Sequence, residues 1–547
     1  MRIALVVDMV LATGMNAYGA SWSVAATPSN ANHIFNSVHD SMRQWGSSLH
    51  HNGMSMFLAT VPVTTEFYHG TSSQWPINGT EWLAFEPEHA LVFASRGNGG
   101  PAGHGQPPPG KEHRDEHVCH DNGQGNRDGR PRGVLADGRQ ARFYQTQQPA
   151  LDDASSQSQG CAHSLSSEHP ADQNIIAHGL PSDHEDENRP GFLHTYRTKR
   201  DLRLLYVDGQ SAAKSDKGTL DLQDLIIRDP TAPANYLQAP PKHRLGGPMN
   251  ERERALELCH LAATEWEGKI DGILRMEAGF EVILCSFEDN LDIVSINQQQ
   301  QRGASKRRGS SRDQWSYYTA VAARFDGIGA HRARLHTDHF LSVFAYPNAF
   351  KFDHAEFPRV INDTLVTRTL RRDLRKMVTQ PSVPADSTDW QGISDLIVAR
   401  YAERIAYLAS DKTKTLLDFQ EEADRAMKPF IDYANRDDHQ EVARCASQFL
   451  DPVANSSTSL AAISVRETHT HICRTLLRAS KATSHAEGMS FVGQLKEWLG
   501  WATWKRCRGC ELGEVCMIPI WPWGSKADFE HPSCSDLSSD RRGDYWR

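Results

Sequence analysis

The cysteines near the end of the chain are the residues whose spacing most directly suggests chemistry. Cys507, Cys510, Cys516 and Cys534 lie within 28 residues of one another. In an exported chain such cysteines form disulfides. In a cytosolic chain, Cys507 and Cys510 have the spacing of a zinc-binding pair. The later two cysteines do not repeat that spacing, so the sequence favours disulfides and predicts no metal site.

Two histidine pairs have the residue types of a metal site but not the spacing. His336 and His339 flank Asp338, yet residues three apart bind one metal together mainly on a helix, and no third ligand is evident. His469 and His471 would point to different sides of a helix. The sequence also contains no G-x-S-x-G motif and no P-loop, which argues against a serine hydrolase and a nucleoside triphosphatase.

Three short segments carry a resemblance to a known superfamily. Phe67-Tyr68-His69-Gly70-Thr71 resembles the first NAD-binding motif of the ADP-ribosyltransferases, in the branch that uses histidine. Residues 81–94 are similar to that superfamily's strand, turn and helix, and Pro87 suits the first turn of the helix. Residues 279–287 resemble its third element, a strand that opens with a glutamate. The whole chain also resembles secreted fungal proteins of unknown function.

The resemblance implies NAD as substrate and gives five residues a role. Glu281 would be the catalytic carboxylate, because breaking the nicotinamide–ribose bond builds positive charge that a nearby carboxylate stabilises. His69 would bind a ribose hydroxyl, the backbone of Gly70 would hold the nicotinamide amide, and Trp82 would stack on the ring. Thr71 would support the turn. A host protein would accept the ADP-ribose.

Each of these residues also has an ordinary structural explanation. A His-Gly pair is often only a turn, Trp82 is often part of a core, and Glu281 alternates with apolar neighbours as a solvated strand residue does. Glu277 is an alternative candidate for the catalytic carboxylate. The second hypothesis is therefore a secreted, non-catalytic binding protein that retains the fold. A catalytic function requires His69, Trp82 and Glu281 to line one cleft.

The elements that would position these residues follow from hydrophobic periodicity. Residues 34–45 and 251–266 have helical spacing, whereas residues 56–63, 194–207, 280–287 and 291–296 are typical of strands. Thr388 and Gln391 form a capping-box pattern at the start of a helix whose apolar face comprises Ile393, Leu396, Ile397, Tyr401, Ile405 and Leu408. The expected fold class is α+β, with an ADP-ribosyltransferase-like split antiparallel sheet.

Composition shifts predict the organisation of the chain. Residues 1–20 have an apolar stretch followed by small residues, as a signal peptide does, although a buried first strand is the alternative. Residues 96–190 lack periodic apolar residues and should be a disordered insertion. It would interrupt one domain formed by residues 21–95 and 191–300. A loop and linking segment (301–358), a helical region (359–500) and a cysteine-rich tail (501–547) follow.

The overall composition argues against a nucleic-acid partner and a membrane span, and it is consistent with secretion. The net charge of −9 provides no global attraction to nucleic acid, and no second apolar stretch is long enough to span a membrane. Asn78, Asn362 and Asn455 each begin a glycosylation acceptor triplet. These features together predict a secreted glycoprotein with no nucleic-acid partner.

Overall fold

The fold comes from a computed structural model that describes residues 30–94, 190–227, 251–299, 311–322, 326–380, 388–536 and 544–546. The described residues belong to one structural unit made of residues 1–105 and 187–547. The expected signal peptide (1–20) lies outside the described residues, as does the expected insertion (96–190) except for its last residue.

A nine-stranded sheet forms the centre of the described structure, with the strand order β8-β4-β2-β3-β7-β6-β5-β1-β9. Its neighbours are antiparallel except for the parallel pair β5 and β6. Strands from both sides of residues 95–189 share this sheet. The bounds are β1 Ser55–Val61, β2 Glu66–Thr71, β3 Glu81–Ala84, β4 Phe192–Thr198, β5 Leu202–Val207, β6 Gly272–Met276, β7 Phe280–Leu284, β8 Leu291–Gln298 and β9 Arg334–Ser342.

Residues 301–358 are more than the loop and linking segment that the sequence suggested. They contain a helix at Ser311–Ala322 and the edge strand β9, which pairs with β1. The polar residues of β9 obscured its strand pattern, because an edge strand buries only part of its surface. Two small two-stranded sheets complete the strands: β10 Phe350–Phe352 with β11 Pro358–Val360, and β12 Val515–Met517 with β13 Ser533–Ser535.

Fifteen α-helices occur in the described ranges, and seven of them fill the predicted helical region, residues 359–500. The bounds are α1 Ala31–Asp40, α2 Gln44–Leu49, α3 Pro87–Leu91, α4 Asp221–Ile227, α5 Glu251–Ala263, α6 Phe287–Asn290, α7 Ser311–Ala322, α8 Thr364–Val378, α9 Trp390–Leu408, α10 Leu416–Met427, α11 Asp438–Ala446, α12 Pro452–Ser456, α13 Leu460–Ser480, α14 His485–Leu499 and α15 Lys526–Glu530. The α+β class and the helical C-terminal region are thus confirmed. The structure establishes this fold class but does not establish an ADP-ribosyltransferase fold.

The first turn of α9 differs from the predicted capping box. Asp389, not Thr388, is the N-cap residue, and its carboxylate accepts a hydrogen bond from the Gly392 amide. The predicted apolar face is buried at Ile397, Tyr401, Ile405 and Leu408, whereas Leu396 is 51% exposed.

The central strands β6 and β7 are buried at every position, which means that both faces of the sheet are covered there. Helix α5 is tied to the end of β7 by Cys259 and Cys285, whose sulfur atoms lie at disulfide distance. The sulfur atoms of three further cysteine pairs also lie at disulfide distance: Cys445 with Cys473, Cys507 with Cys516, and Cys510 with Cys534. The tail cysteines are therefore arranged as disulfides. Within the described residues, no helix combines the length and apolar character that crossing a membrane requires.

Candidate functional site

Glu281 lies on β7 inside a buried network of charged side chains. Its cross-strand partner on β6 is Arg275, which donates from Nε to Oε1 of Glu281 at 3.0 Å. The same guanidinium donates from Nη2 to Oε2 of Glu251 at 2.5 Å. Glu281 is 5% exposed, so the sequence-based alternative of a solvated strand carboxylate is wrong. The residue is instead an internal ion-pair partner.

Burial raises the pKa of Glu281 to about 7, the positive charge of Arg275 lowers it, and the neighbouring carboxylate of Glu277 raises it further. Glu277, the alternative candidate, accepts a hydrogen bond from Nζ of Lys214 at 2.5 Å. Both glutamates therefore sit beside cations, and burial outweighs the charge of Arg275 in setting the direction of the Glu281 pKa shift.

The other predicted site residues lie on β2 and β3, on two faces of the sheet. Tyr68 pairs with Ala84 and Ala84 pairs with Glu281, so these three side chains project from one face. Trp82, two residues before Ala84, projects from that face as well. His69 directly follows Tyr68 and therefore projects from the opposite face. The structure brings Trp82 and Glu281 to one side and leaves His69 on the other.

The side chain of His69 contacts neighbouring protein groups and does not face a cleft with Glu281. Its Nδ1 lies 2.7 Å from the carbonyl oxygen of Trp82, and its ring packs 5.8 Å from that of Phe287. Burial lowers the pKa of His69. Thr71 accepts a hydrogen bond from the Ser73 amide.

Helix α3 packs directly against Gly70, the residue that the resemblance assigns to nicotinamide binding. A Cβ atom on Gly70 would overlap the carbonyl oxygen of Ala90, so the helix backbone rests on that glycine. Glycine is required here for the close approach of two backbones. This packing accounts for Gly70 without a ligand, and NAD use stays a prediction.

A cavity of about 540 Å³ that the sequence did not predict lies elsewhere, between α1, the loop that follows β5 and the end of α14. Asn32, Asn36 and Asp40 line it at intervals of four residues, which places them along one face of α1. Aromatic side chains supply much of the remaining wall: Phe344, Phe352, Phe357, Trp498, Trp501 and Phe529.

The side-chain amides of Asn32 and Asn36 are oriented so that their oxygens have no hydrogen-bond partner among the described residues. Nδ2 of Asn32 donates to the carbonyl oxygen of Trp498, and Nδ2 of Asn36 donates to that of Leu499 at 2.9 Å. These bonds set the amide orientation, because a flipped amide would place two oxygens together. Neither Oδ1 has a hydrogen-bond partner among the described residues. Buried acceptors of this kind are normally satisfied by water or by a ligand.

Two of the four carboxyl residues that line the cavity, Asp208 and Asp40, have pKa values shifted in opposite directions. Burial raises the pKa of Asp208 to about 8, even though its carboxyl accepts from the Ser55 amide. Burial acts in the same direction on Asp40, but the hydrogen bond from His39, the charges of His39 and His50 and that of Arg43 together hold its pKa below the usual range. The environment of the cavity therefore favours the neutral form of Asp208 and the charged form of Asp40.

The sequence contained a signal for this cavity that apolar periodicity did not reveal. Helix α1 is recognised from Ile34, Val38 and Met42, which repeat every four residues. Asn32, Asn36 and Asp40 repeat with the same period, and all three are buried. A buried polar stripe beside an apolar one indicates an internal polar site. The aromatic wall could not be anticipated, since it comes from residues 344–529.

The chain is similar to one described protein family and to two yeast proteins. Residues 25–305, just over half of the chain, match the family described as the YPL277C N-terminal domain. The uncharacterized proteins YOR389W and YPL277C of Saccharomyces cerevisiae are each 30% identical to the chain over 272 residues, 49% of its length. That alignment covers 33% of YOR389W and 43% of YPL277C, so the chain spans less than half of either relative. No solved structure matches significantly. On the extent of the family match, the chain belongs to the YPL277C N-terminal domain family.

Proposed function

We propose that this protein is a secreted, non-catalytic binding protein whose ligand site is the cavity beside α1. The observation that carries the proposal is a cavity of about 540 Å³ lined by two asparagines whose buried amide oxygens have no partner among the described residues. That volume is within the range of small-molecule sites, which combine an apolar wall with a few convergent polar groups.

The chemistry of the lining favours a compact molecule with several hydroxyl groups and an apolar face, such as a monosaccharide. Hydroxyl groups would donate to Oδ1 of Asn32 and Oδ1 of Asn36 and to the carboxylate of Asp40. The protonated carboxyl of Asp208 would act as a donor. Trp498, which is only partly buried, would pack against the C–H face of a sugar ring.

Secretion is part of the same proposal. The paired cysteines support it, because disulfides persist in oxidising compartments. Asn78, Asn362 and Asn455 are all exposed, which glycosylation requires.

Calorimetric titration with a panel of neutral monosaccharides tests the ligand class. We expect one sugar to bind with a one-to-one stoichiometry, and Asn36→Ala to weaken it by about tenfold, the cost of one lost hydrogen bond of roughly 1.4 kcal/mol. The matched control is Asn290→Ala, a buried asparagine on α6 outside the cavity lining. Absence of binding at millimolar sugar by a folded protein would contradict the proposal.

NAD-dependent ADP-ribosyl transfer to a host protein, or NAD hydrolysis, is the second candidate. It is supported by Trp82 and Glu281, which project from one face of adjacent strands. The opposite placement of His69 and the closure of α3 over Gly70 count against it. Incubation with labelled NAD, scoring label transfer and nicotinamide release, separates the two candidates, since a binding protein produces neither.

A further inference from the structure

A second cluster of polar side chains lies at the turn between β6 and β7, away from the cavity. Glu277 stands in this turn, Glu281 follows on β7, and His89 approaches from α3. One potential ligand atom from each residue lies within 4.8 Å of the other two. Residues from two separate parts of the chain therefore bring an imidazole nitrogen and two carboxylates together.

His89 supplies an observation independent of the carboxylates. It is 2% exposed, and its Nδ1 has no hydrogen-bond partner among the described residues. A Cβ atom on Gly279 would stand 2.9 Å from this nitrogen, so Nδ1 faces the turn between the two glutamates. A buried imidazole nitrogen without a partner is costly unless something binds it.

Both glutamates of the cluster have a cation at hydrogen-bond distance. Nε of Arg275 lies 3.0 Å from Oε1 of Glu281, and Nζ of Lys214 lies 2.5 Å from Oε1 of Glu277. These contacts hold the two carboxyl groups beside the imidazole of His89. A carboxylate that binds one cation still has lone pairs for a metal ion.

We propose that Nδ1 of His89 and the carboxylates of Glu277 and Glu281 bind one divalent transition-metal ion. One nitrogen and two carboxylate oxygens suit Mn²⁺, Fe²⁺ or Zn²⁺ better than Ca²⁺, which takes six or more oxygen ligands. The ion supplies a partner for the buried imidazole nitrogen of His89. Arg275 and Lys214 hold the carboxylates in place through their hydrogen bonds.

Mn²⁺ is the suitable probe, because histidines elsewhere in the chain bind Zn²⁺ more readily than Mn²⁺. The full chain, freed of metal by a chelator, is titrated with Mn²⁺ while electron paramagnetic resonance records the free ion. We expect one site per chain whose Mn²⁺ is displaced by Zn²⁺. His89→Gln and Glu277→Gln should each weaken it at least tenfold.

Glu251→Gln is the matched control. It removes one negative charge from the same Arg275 network, but Glu251 is not one of the three clustered residues. We expect it to weaken Mn²⁺ binding less than either ligand variant does, because Glu251 contributes no ligand atom to the cluster. Circular dichroism establishes that each variant is folded, and Glu277, which is only partly buried, provides a test if replacement of His89 prevents folding. Absence of a Mn²⁺ site in the wild-type chain, or equal weakening by all three variants, would overturn the proposal.

Discussion

Arg275 and Glu281 are directly paired residues of the antiparallel strands β6 and β7, and their side chains are joined at 3.0 Å inside the protein. Because the guanidinium also binds Glu251, the pair links the sheet to the first turn of α5. Removing one member of a buried ion pair leaves the other charge without compensation, which costs more than losing an exposed pair.

We therefore expect Arg275→Met to lower the free energy of unfolding by about 3–5 kcal/mol, because Glu251 and Glu281 would lose a shared cation. Arg425→Met, which breaks the exposed contacts to Glu421 and Glu422, should cost less than about 1 kcal/mol. Urea unfolding at pH 7 measures both. Equal effects would mean that the Arg275 network is solvated in solution.

The second prediction concerns Asp208 and pH. Its folded-state pKa of about 8 lies above its ordinary value of 3.8, so the folded protein binds the proton more tightly than the unfolded chain. Its contribution to stability is present below about pH 4 and is lost as pH rises toward 8. Asp208→Asn should remove this loss and flatten the stability profile between pH 5 and 8. Thermal unfolding across that range checks it, and an unchanged profile would contradict the raised pKa.

The third prediction concerns the disulfides. The eight described cysteines should react with no thiol reagent in the denatured, unreduced protein, which mass spectrometry of alkylated peptides shows. Replacing Cys259 and Cys285 together with serine should lower the free energy of unfolding by roughly 3.5 kcal/mol, the chain-entropy value for a loop of this length. Four free thiols in the tail, or bound zinc, would reverse the assignment.

The fourth prediction tests the secreted state. When the protein is expressed through a eukaryotic secretory pathway, Asn78, Asn362 and Asn455 should carry glycans, because each is exposed. Treatment with a glycosidase should lower the apparent mass, and the triple Asn→Gln variant should lack that shift. Recovery of unmodified protein only from the cytosol would contradict it.

The last prediction applies to NAD. If the chain cleaves NAD through Glu281, Glu281→Gln should reduce turnover by roughly two to three orders of magnitude while NAD binding changes little, because the charge acts mainly in the transition state. His69→Ala would impair both binding and turnover if it contacts ribose. From the placement of His69 on the opposite face, we instead expect His69→Ala to leave any NAD cleavage unaffected.

Local patterns were sufficient for much of the secondary structure. The spacing of Ile397, Tyr401, Ile405 and Leu408 predicted the buried face of α9, because helical periodicity is set by residues a few positions apart. Strand β9 was missed because its pairing with β1 is a contact between distant parts of the chain. The capping box at Thr388 was wrong because Gln391 donates to the carbonyl oxygens of Val38 and Ser41, which no local pattern reveals.

The sequence by itself determined the α+β class, the helical C-terminal region and the residue types available for chemistry. Only the tertiary structure decided which of them meet. Cross-strand register placed His69 and Glu281 on opposite faces of the sheet. The orientation of the Asn32 amide is set by its hydrogen bond to Trp498, which lies 466 positions away in the chain. Hydrophobic periodicity carries no information about such partners, because register and helix docking are selected by the packing of the whole core.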